Sequence, residues 1–171
     1  TSKSKAVSTV YEPGSTFKIL TAAAALDAGK VSVTDRYYCS GIRVVDGQKI
    51  RCWKAKGHGS ISFAEGVAES CNCVFMDSAL AMGTEVFYDY LNAFGLRSET
   101  GVDVTGETSG IFIAEESVKS VDLARIGFGQ AVAVTPIGML TAAASVVNGG
   151  RLVTPHLLSE VRDSYSGQTV K

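Results

Sequence analysis

The chain has 171 residues, 46% of them hydrophobic and 19% charged, and 16 Lys and Arg against 17 Asp and Glu leave a net charge of −1. A chain of this length buries about 70% of its unfolded surface when it folds as one domain, and the composition excludes disordered and fibrous classes. Scattered, balanced charge excludes a phosphate-tracking nucleic-acid surface and gives no pull towards an anionic membrane.

In chain order, the first helix signal is Pro13-Gly14-Ser15, followed by Phe17, Ile19, Leu20 and Ala22 to Ala25, with a stop at Ala28-Gly29. Pro near the start and Gly past the end is the asymmetry expected of a helix, and its nearly unbroken apolar run predicts burial on every side. Asp46-Gly47, with Ile42, Val44 and Val45 before it and Ile50 after it, predicts a β-hairpin. Gly57-His58-Gly59 reads as a flexible stretch. Ser62-Phe63-Ala64-Glu65 is a capping box that opens a second helix, running to about Ser70. A third runs from near Asn72 to Gly83, and Thr84 caps a fourth that stops at Gly95. Residues 96 to 119 read as an irregular connection. The last helix takes Thr135 as cap and Pro136 as first residue, ends at Asn148-Gly149-Gly150, and is followed by a candidate strand from Arg151 to Val161.

Ile126 to Gly150 is the longest uncharged stretch, but its polar residues and its breaks at Gly127-Phe128-Gly129 and Thr135-Pro136 fit a core helix better than a bilayer span. The chain shows no signal peptide and does not begin with Met, so it reads as an excised segment. No internal repeat is present.

The four cysteines are Cys39, Cys52, Cys71 and Cys73. Cys71 and Cys73, two apart in a helical region, point in different directions and are not expected to bridge each other. With a two-residue turn at Asp46-Gly47, Cys52 faces Gly41, so a Cys39–Cys52 disulfide across the hairpin needs a bulge. A zinc site from these two and His58 is the weaker alternative, because no C-x-x-C spacing exists. No metal or cofactor is called for on this reading.

Ser15-Thr16-Phe17-Lys18 is a Ser-x-x-Lys run at a helix start. Residues three apart share a face, so Lys18 can reach the Ser15 hydroxyl. The helix N-terminus favours a developing oxyanion, burial would lower the Lys18 pKa enough for a neutral amine to act as base, and Gly14 leaves room for a substrate. A chain this long holds Ser-x-x-Lys about once by chance, and Ser2-Lys3-Ser4-Lys5 is a second match with no helix start behind it. Ser70-Cys71-Asn72 lies where the chain turns between helices; Ser70 could relay a proton and Asn72 present its amide, or the pair could be plain helix caps.

The set Ser-x-x-Lys with Ser-x-Asn is shared by penicillin-binding proteins. Tyr11 to Lys18 resembles the nucleophile segment of class B penicillin-binding proteins, and Glu69-Ser70-Cys71-Asn72 their second motif. Gly127-Phe128-Gly129-Gln130, Val134-Thr135-Pro136 and Asn148-Gly149-Gly150 resemble the stretch before their third motif. Cys39, Cys52-Trp53 and Gly57-His58-Gly59 resemble the Gram-positive branch that includes sporulation-specific transpeptidases. Cys73 and Gly138 stand where many relatives carry Pro and Gln, and no Lys-Thr-Gly is present; the nearest match is Lys119-Ser120-Val121.

The resemblance implies a mainly α chain with one β-hairpin, the helical lobe of the β-lactamase/transpeptidase-like α+β fold with its backing sheet mostly absent. It implies one partial transpeptidase domain over 1–171, truncated at both ends and lacking the Lys-Thr-Gly strand. Ser15, Lys18, Ser70 and Asn72 would be catalytic, with Gly14, Cys71, Gly129 and Gln130 on the substrate side. Implied partners are peptidoglycan stem peptides, β-lactam antibiotics and, through the parent protein, a membrane glycosyltransferase, at the extracytoplasmic face of the membrane. Apolar faces left without the sheet make self-association an expectation. Missing the third motif's oxyanion donor would cost about a hundred- to a thousandfold in rate, so the segment alone is expected to be a poor catalyst. A class D β-lactamase or β-lactam sensor resembles the chain less, since its second motif ends in Val, and the non-catalytic rival treats Ser15 as a helix cap.

Overall fold

A computed structural model describes residues 4–170. Ten elements follow one another: α1 (Lys5–Ser8), α2 (Lys18–Asp27), β1 (Arg36–Cys39), β2 (Ile42–Val45), β3 (Gln48–Arg51), β4 (Gly59–Ser62), α3 (Phe63–Ala68), α4 (Asn72–Ala93), α5 (Ser120–Ile126) and α6 (Pro136–Val147). A 3-10 turn over Gly14–Phe17 leads into α2.

The core lies where α4 packs on α2 and α5, with α6 also packed against α2. Phe17 and Leu20 of the α2 limb, Val74, Phe75 and Met76 of α4 and Ile126 of α5 are almost wholly buried. Each such side chain contributes about 1.5–3 kcal/mol relative to exposure. α2 is not buried on every side: Ile19 and Leu26 face outward, because its packing partners are α4 and α6 alone among the longer helices. Leu140 and Val147 of α6 are exposed as well.

The expected turn and capping chemistry is present. β2 and β3 pair antiparallel around Asp46-Gly47, with Ile42 opposite Arg51, and the Cys52 N–H donates to the Gly41 carbonyl at 2.8 Å. Ser62 and Glu65 form the capping box of α3. Thr135 Oγ1 accepts from the Gly138 N–H at 3.1 Å. α4 breaks at Gly83 (φ 77°), a left-handed backbone that suits glycine and divides the helix where two were expected.

Three features differ from expectation. The one hairpin, β2–β3, stands as expected, but beside it β1 pairs antiparallel with β4, Arg36 opposite Ser62, in a second ribbon that was not foreseen. Gly59-Ser60-Ile61-Ser62 has one large apolar residue and partners 20 to 26 residues away, so local pattern could not reveal it. α5 falls where the sequence pattern assigned no element; it is only seven residues long, and the Asp122 carboxylate takes the Lys119 N–H at its start. The segment from Arg151 to Val161 forms no ladder. It is tied down by Asp103, whose two carboxylate oxygens accept from the N–H groups of Leu157 and Leu158 at 2.8 Å each.

No helix among the described residues is long and apolar enough to cross a membrane.

Candidate active site

The Ser15 turn is positioned from behind by the strand-like segment that follows α5. Tyr11 bridges to Val134, the Glu12 carboxylate accepts from the Ala131 N–H at 3.1 Å, and the Gly14 N–H donates to the Gly129 carbonyl at 3.0 Å. Gly129 has φ +81°, and a Cβ there would lie 2.0 Å from the Gly14 carbonyl oxygen. Only glycine permits this approach. Gly14 itself, at φ +56°, has open space where a Cβ would stand.

Ser15 sits exposed in the 3-10 turn, and Lys18, three residues on, opens α2 and is almost fully buried. In 3-10 geometry, residues i and i+3 eclipse, which places Lys18 Nζ 3.3 Å from Ser15 Oγ. The same nitrogen lies 2.9 Å from Ser70 Oγ, 2.7 Å from the Ser70 carbonyl and 2.6 Å from Asn72 Oδ1, with the Phe75 ring beneath it at 5.4 Å. Asn72 donates its amide nitrogen to the Arg51 carbonyl at 3.2 Å, so its oxygen is the atom turned to Lys18.

Burial lowers the Lys18 pKa from 10.5 to about 8, against a smaller opposing pull from Cys52 and Cys71. A neutral amine has two N–H donors and one lone pair. The Ser70 carbonyl and Asn72 Oδ1 can only accept, so they take the two donors. The lone pair is left for a hydroxyl proton, from Ser15 or Ser70. This arrangement can take a proton from Ser15 and pass it on through Ser70.

Ser70 carries φ +50°, a left-handed backbone that costs a non-glycine residue about 1–2 kcal/mol. The corner is held by Trp53, whose Nε1–H lies 3.0 Å from the Glu69 carbonyl and 3.2 Å from that of Ser70. Trp53, Phe75, Glu12 and the Arg51 carbonyl were not foreseen as site-building groups; each acts across the fold, and no local pattern marks them.

Ser15, Lys18, Ser70 and Asn72, expected together, are together. Gly14 and Gly129 form the backbone contact under the nucleophile, and Gln130 is exposed beside it. The second Ser-x-x-Lys run begins at Ser2, outside the described residues, while Lys5 starts the short helix α1. Cys71, expected on the substrate side, has its side chain fully buried and so cannot line a groove. Cys39 and Cys52 are free thiols rather than a disulfide, as are Cys71 and Cys73, and the Cys52 sulfur lies 4.0 Å from that of Cys71. A cleft of about 330 Å³ between α2, α4 and α6 is lined by Ala23, Asp27, Tyr90, Phe94 and Leu152 among others, and by none of the four converging residues.

The model of the penicillin-binding protein transpeptidase domain matches residues 1–171. The chain is 44% identical over 162 residues to stage V sporulation protein D of Bacillus subtilis, covering 94% of this chain and 25% of the relative. It is 30% identical over 165 residues to the peptidoglycan D,D-transpeptidase MrdA of Escherichia coli K12, covering 90% and 26%. The chain thus spans about a quarter of the length of these curated relatives. Among solved structures, Pseudomonas aeruginosa PBP2 in complex with WCK 5153 superposes with a TM-score of 0.83 at 27% identity, over 90% of this chain and 38% of that one. Penicillin-binding protein 3 of Mycobacterium tuberculosis, complexed with aztreonam, gives 0.88 at 25% identity, over 98% and 37%. With the whole chain matched and the Ser-x-x-Lys and Ser-x-Asn groups converging on one lysine, the chain belongs to the penicillin-binding protein transpeptidase domain family.

Proposed function

We propose that Ser15 is the nucleophile of a D,D-transpeptidase that cross-links peptidoglycan. The observation that carries the reading is the buried Lys18 amine, within hydrogen-bond reach of Ser15, Ser70 and Asn72 at once. Neutral Lys18 takes the Ser15 hydroxyl proton as Oγ bonds to the penultimate D-alanine carbonyl carbon of a stem peptide. The tetrahedral intermediate collapses, the terminal D-alanine leaves as its amine regains a proton by way of Ser70, and an acyl-enzyme remains. An amine from a neighbouring strand then attacks that ester, returning the proton to Ser15. A β-lactam opens on Ser15 in the same way, but its leaving nitrogen stays tethered and the adduct persists.

The 171 residues contain no Lys-Thr-Gly, and the proposal assigns the remaining oxyanion donor and the substrate-carboxylate contact to chain beyond them, making this one part of the transpeptidase domain. On this reading the site works at the extracytoplasmic face of a bacterial membrane, where stem peptides occur, with a glycosyltransferase supplying the glycan strands. The transpeptidase relatives favour this reading over a class D β-lactamase. The test is D-alanine release from a pentapeptide stem with an amine acceptor, using the full-length protein. Cross-linked product is expected, absent in Ser15→Ala; hydrolysis without cross-linking would overturn transpeptidation.

A further inference from the structure

The four cysteines lie in three separate stretches of sequence, yet their sulfurs all fall within 4.8 Å of one another and all four side chains are buried. Cys39 ends β1, Cys52 follows β3, Cys71 caps the N-terminus of α4, and Cys73 is in its first turn. None is bonded to another. A tetrahedral zinc with bonds of about 2.3 Å needs its sulfurs about 3.8 Å apart, and the Cys52–Cys71 separation is already 4.0 Å. The scaffold around the sulfurs is tightly determined. A Cβ on Gly57 would lie 2.1 Å from the Cys39 carbonyl oxygen, and one on Gly41 2.3 Å from that of Ala55, so the loop after Cys52 is closed onto the end of β1. His58 Nδ1 stands 3.7 Å from Cys52 Sγ, and its Nε2 is buried without a partner.

We infer that Cys39, Cys52, Cys71 and Cys73 form a structural site for one divalent, thiolate-seeking cation, zinc by ligand type and geometry, with His58 as an outer-shell partner of the Cys52 sulfur. Four thiolates select zinc over magnesium or calcium, which take oxygen ligands. Binding exchanges four S–H bonds for four S–Zn bonds and releases four protons to solvent, with no change of oxidation state. The site sits between the ends of β1 and β3 and the start of α4. It clamps the two ribbons to the Ser70-Cys71-Asn72 corner from which Ser70 and Asn72 reach Lys18. The effect on catalysis rests on the transpeptidase reading; the metal binding does not.

The experiment uses the full-length protein, reduced and stripped of metal under anaerobic conditions, then titrated with Zn²⁺ against a chromophoric chelator and separately with Co²⁺. One zinc per chain is expected, together with the intense thiolate-to-cobalt charge-transfer band of a tetrahedral site. Peptide-resolved alkylation should show these four cysteines shielded by zinc. Losing an outer-shell partner weakens metal sites by about 10–100-fold, so His58→Ala should stay within that range and Cys39→Ser should exceed it. The proposal is overturned by substoichiometric zinc, by fewer than four shielded cysteines, by His58→Ala costing as much as Cys39→Ser, or by thiols that only pair into disulfides in air and take no metal when reduced. The wild-type shielding pattern decides the matter even if Cys39→Ser fails to fold. Absent cross-linking with intact zinc binding would sink the catalytic reading alone.

Discussion

Replacing Gly129 by alanine tests how the nucleophile turn is held. The added Cβ would sit 2.0 Å from the Gly14 carbonyl oxygen and 2.8 Å from Phe17 Cβ, at φ +81°. The backbone strain costs about 1–2 kcal/mol. Moving Gly14 away to relieve the contact weakens the hydrogen bond from its N–H to the Gly129 carbonyl, worth about 1 kcal/mol. A total of about 3 kcal/mol corresponds to a drop of about 6–12 °C in the thermal midpoint of a 171-residue unit, and to a smaller drop, still of a few degrees, in the larger domain of the full-length protein. Ser15 follows Gly14 directly, and displacing a reacting group by about 1 Å costs on the order of a hundredfold in rate. Gly149→Ala is the control: its φ is +85°, but a Cβ there meets nothing within 4 Å. It should lose about 1–2 kcal/mol from strain alone and keep its acylation rate. Both variants would be followed by differential scanning calorimetry and by the rate of penicillin adduct formation in the full-length protein. Gly129→Ala acylating within threefold of wild type at an unchanged midpoint would refute the close-approach argument.

The pKa of Lys18, lowered to about 8 by burial, predicts acylation that rises with pH as the amine loses its proton. Below that value the rate should fall about tenfold per pH unit, read by stopped-flow acylation; a flat profile from pH 6 to 8 would exclude Lys18 as the base. The sign for stability follows from the same shift. Folding expels the Lys18 proton between pH 8 and 10.5, so the penalty for burying the charge is fully present below 8 and fades as pH rises to 10.5. Asn72→Asp puts a carboxylate where Oδ1 stands 2.6 Å from Nζ. It should raise the Lys18 pKa by about 1–3 units and slow acylation at pH 7 at least about tenfold, with an unmoved pH midpoint as the contrary result. Ser62→Ala removes the oxygen that accepts from the Glu65 N–H at 3.1 Å; it should lower stability by about 1 kcal/mol in urea denaturation and leave acylation unchanged.

What could be read from the sequence depended on how local the determinant was. The Ser62 capping box, the Asp46-Gly47 turn, the Thr135-Pro136 start and the break at Gly83 are each fixed by residues within a few positions, and each stands as expected. The Ser15–Lys18 contact is likewise an i, i+3 relation. Bringing Ser70 and Asn72 to the same amine spans more than fifty residues, and only the family's ordered motifs made it legible. The β1–β4 ribbon and the Trp53 and Arg51 contacts had no such guide. The cysteines show the limit most clearly. Pairwise spacing suggested Cys39 with Cys52, whereas packing of both ribbons against the start of α4 gathers all four. Cys71 was placed on the substrate side by its neighbours in sequence, but α4 turns its sulfur inward.

Peptide-resolved mass spectrometry of the full-length protein after brief exposure to a penicillin addresses the central claim, that Ser15 is the acylated nucleophile. A stoichiometric adduct is expected on the peptide carrying Ser15, and none on the Ser15→Ala variant with its fold intact by circular dichroism. An adduct on a different residue, or one that persists undiminished in Ser15→Ala, would contradict the account.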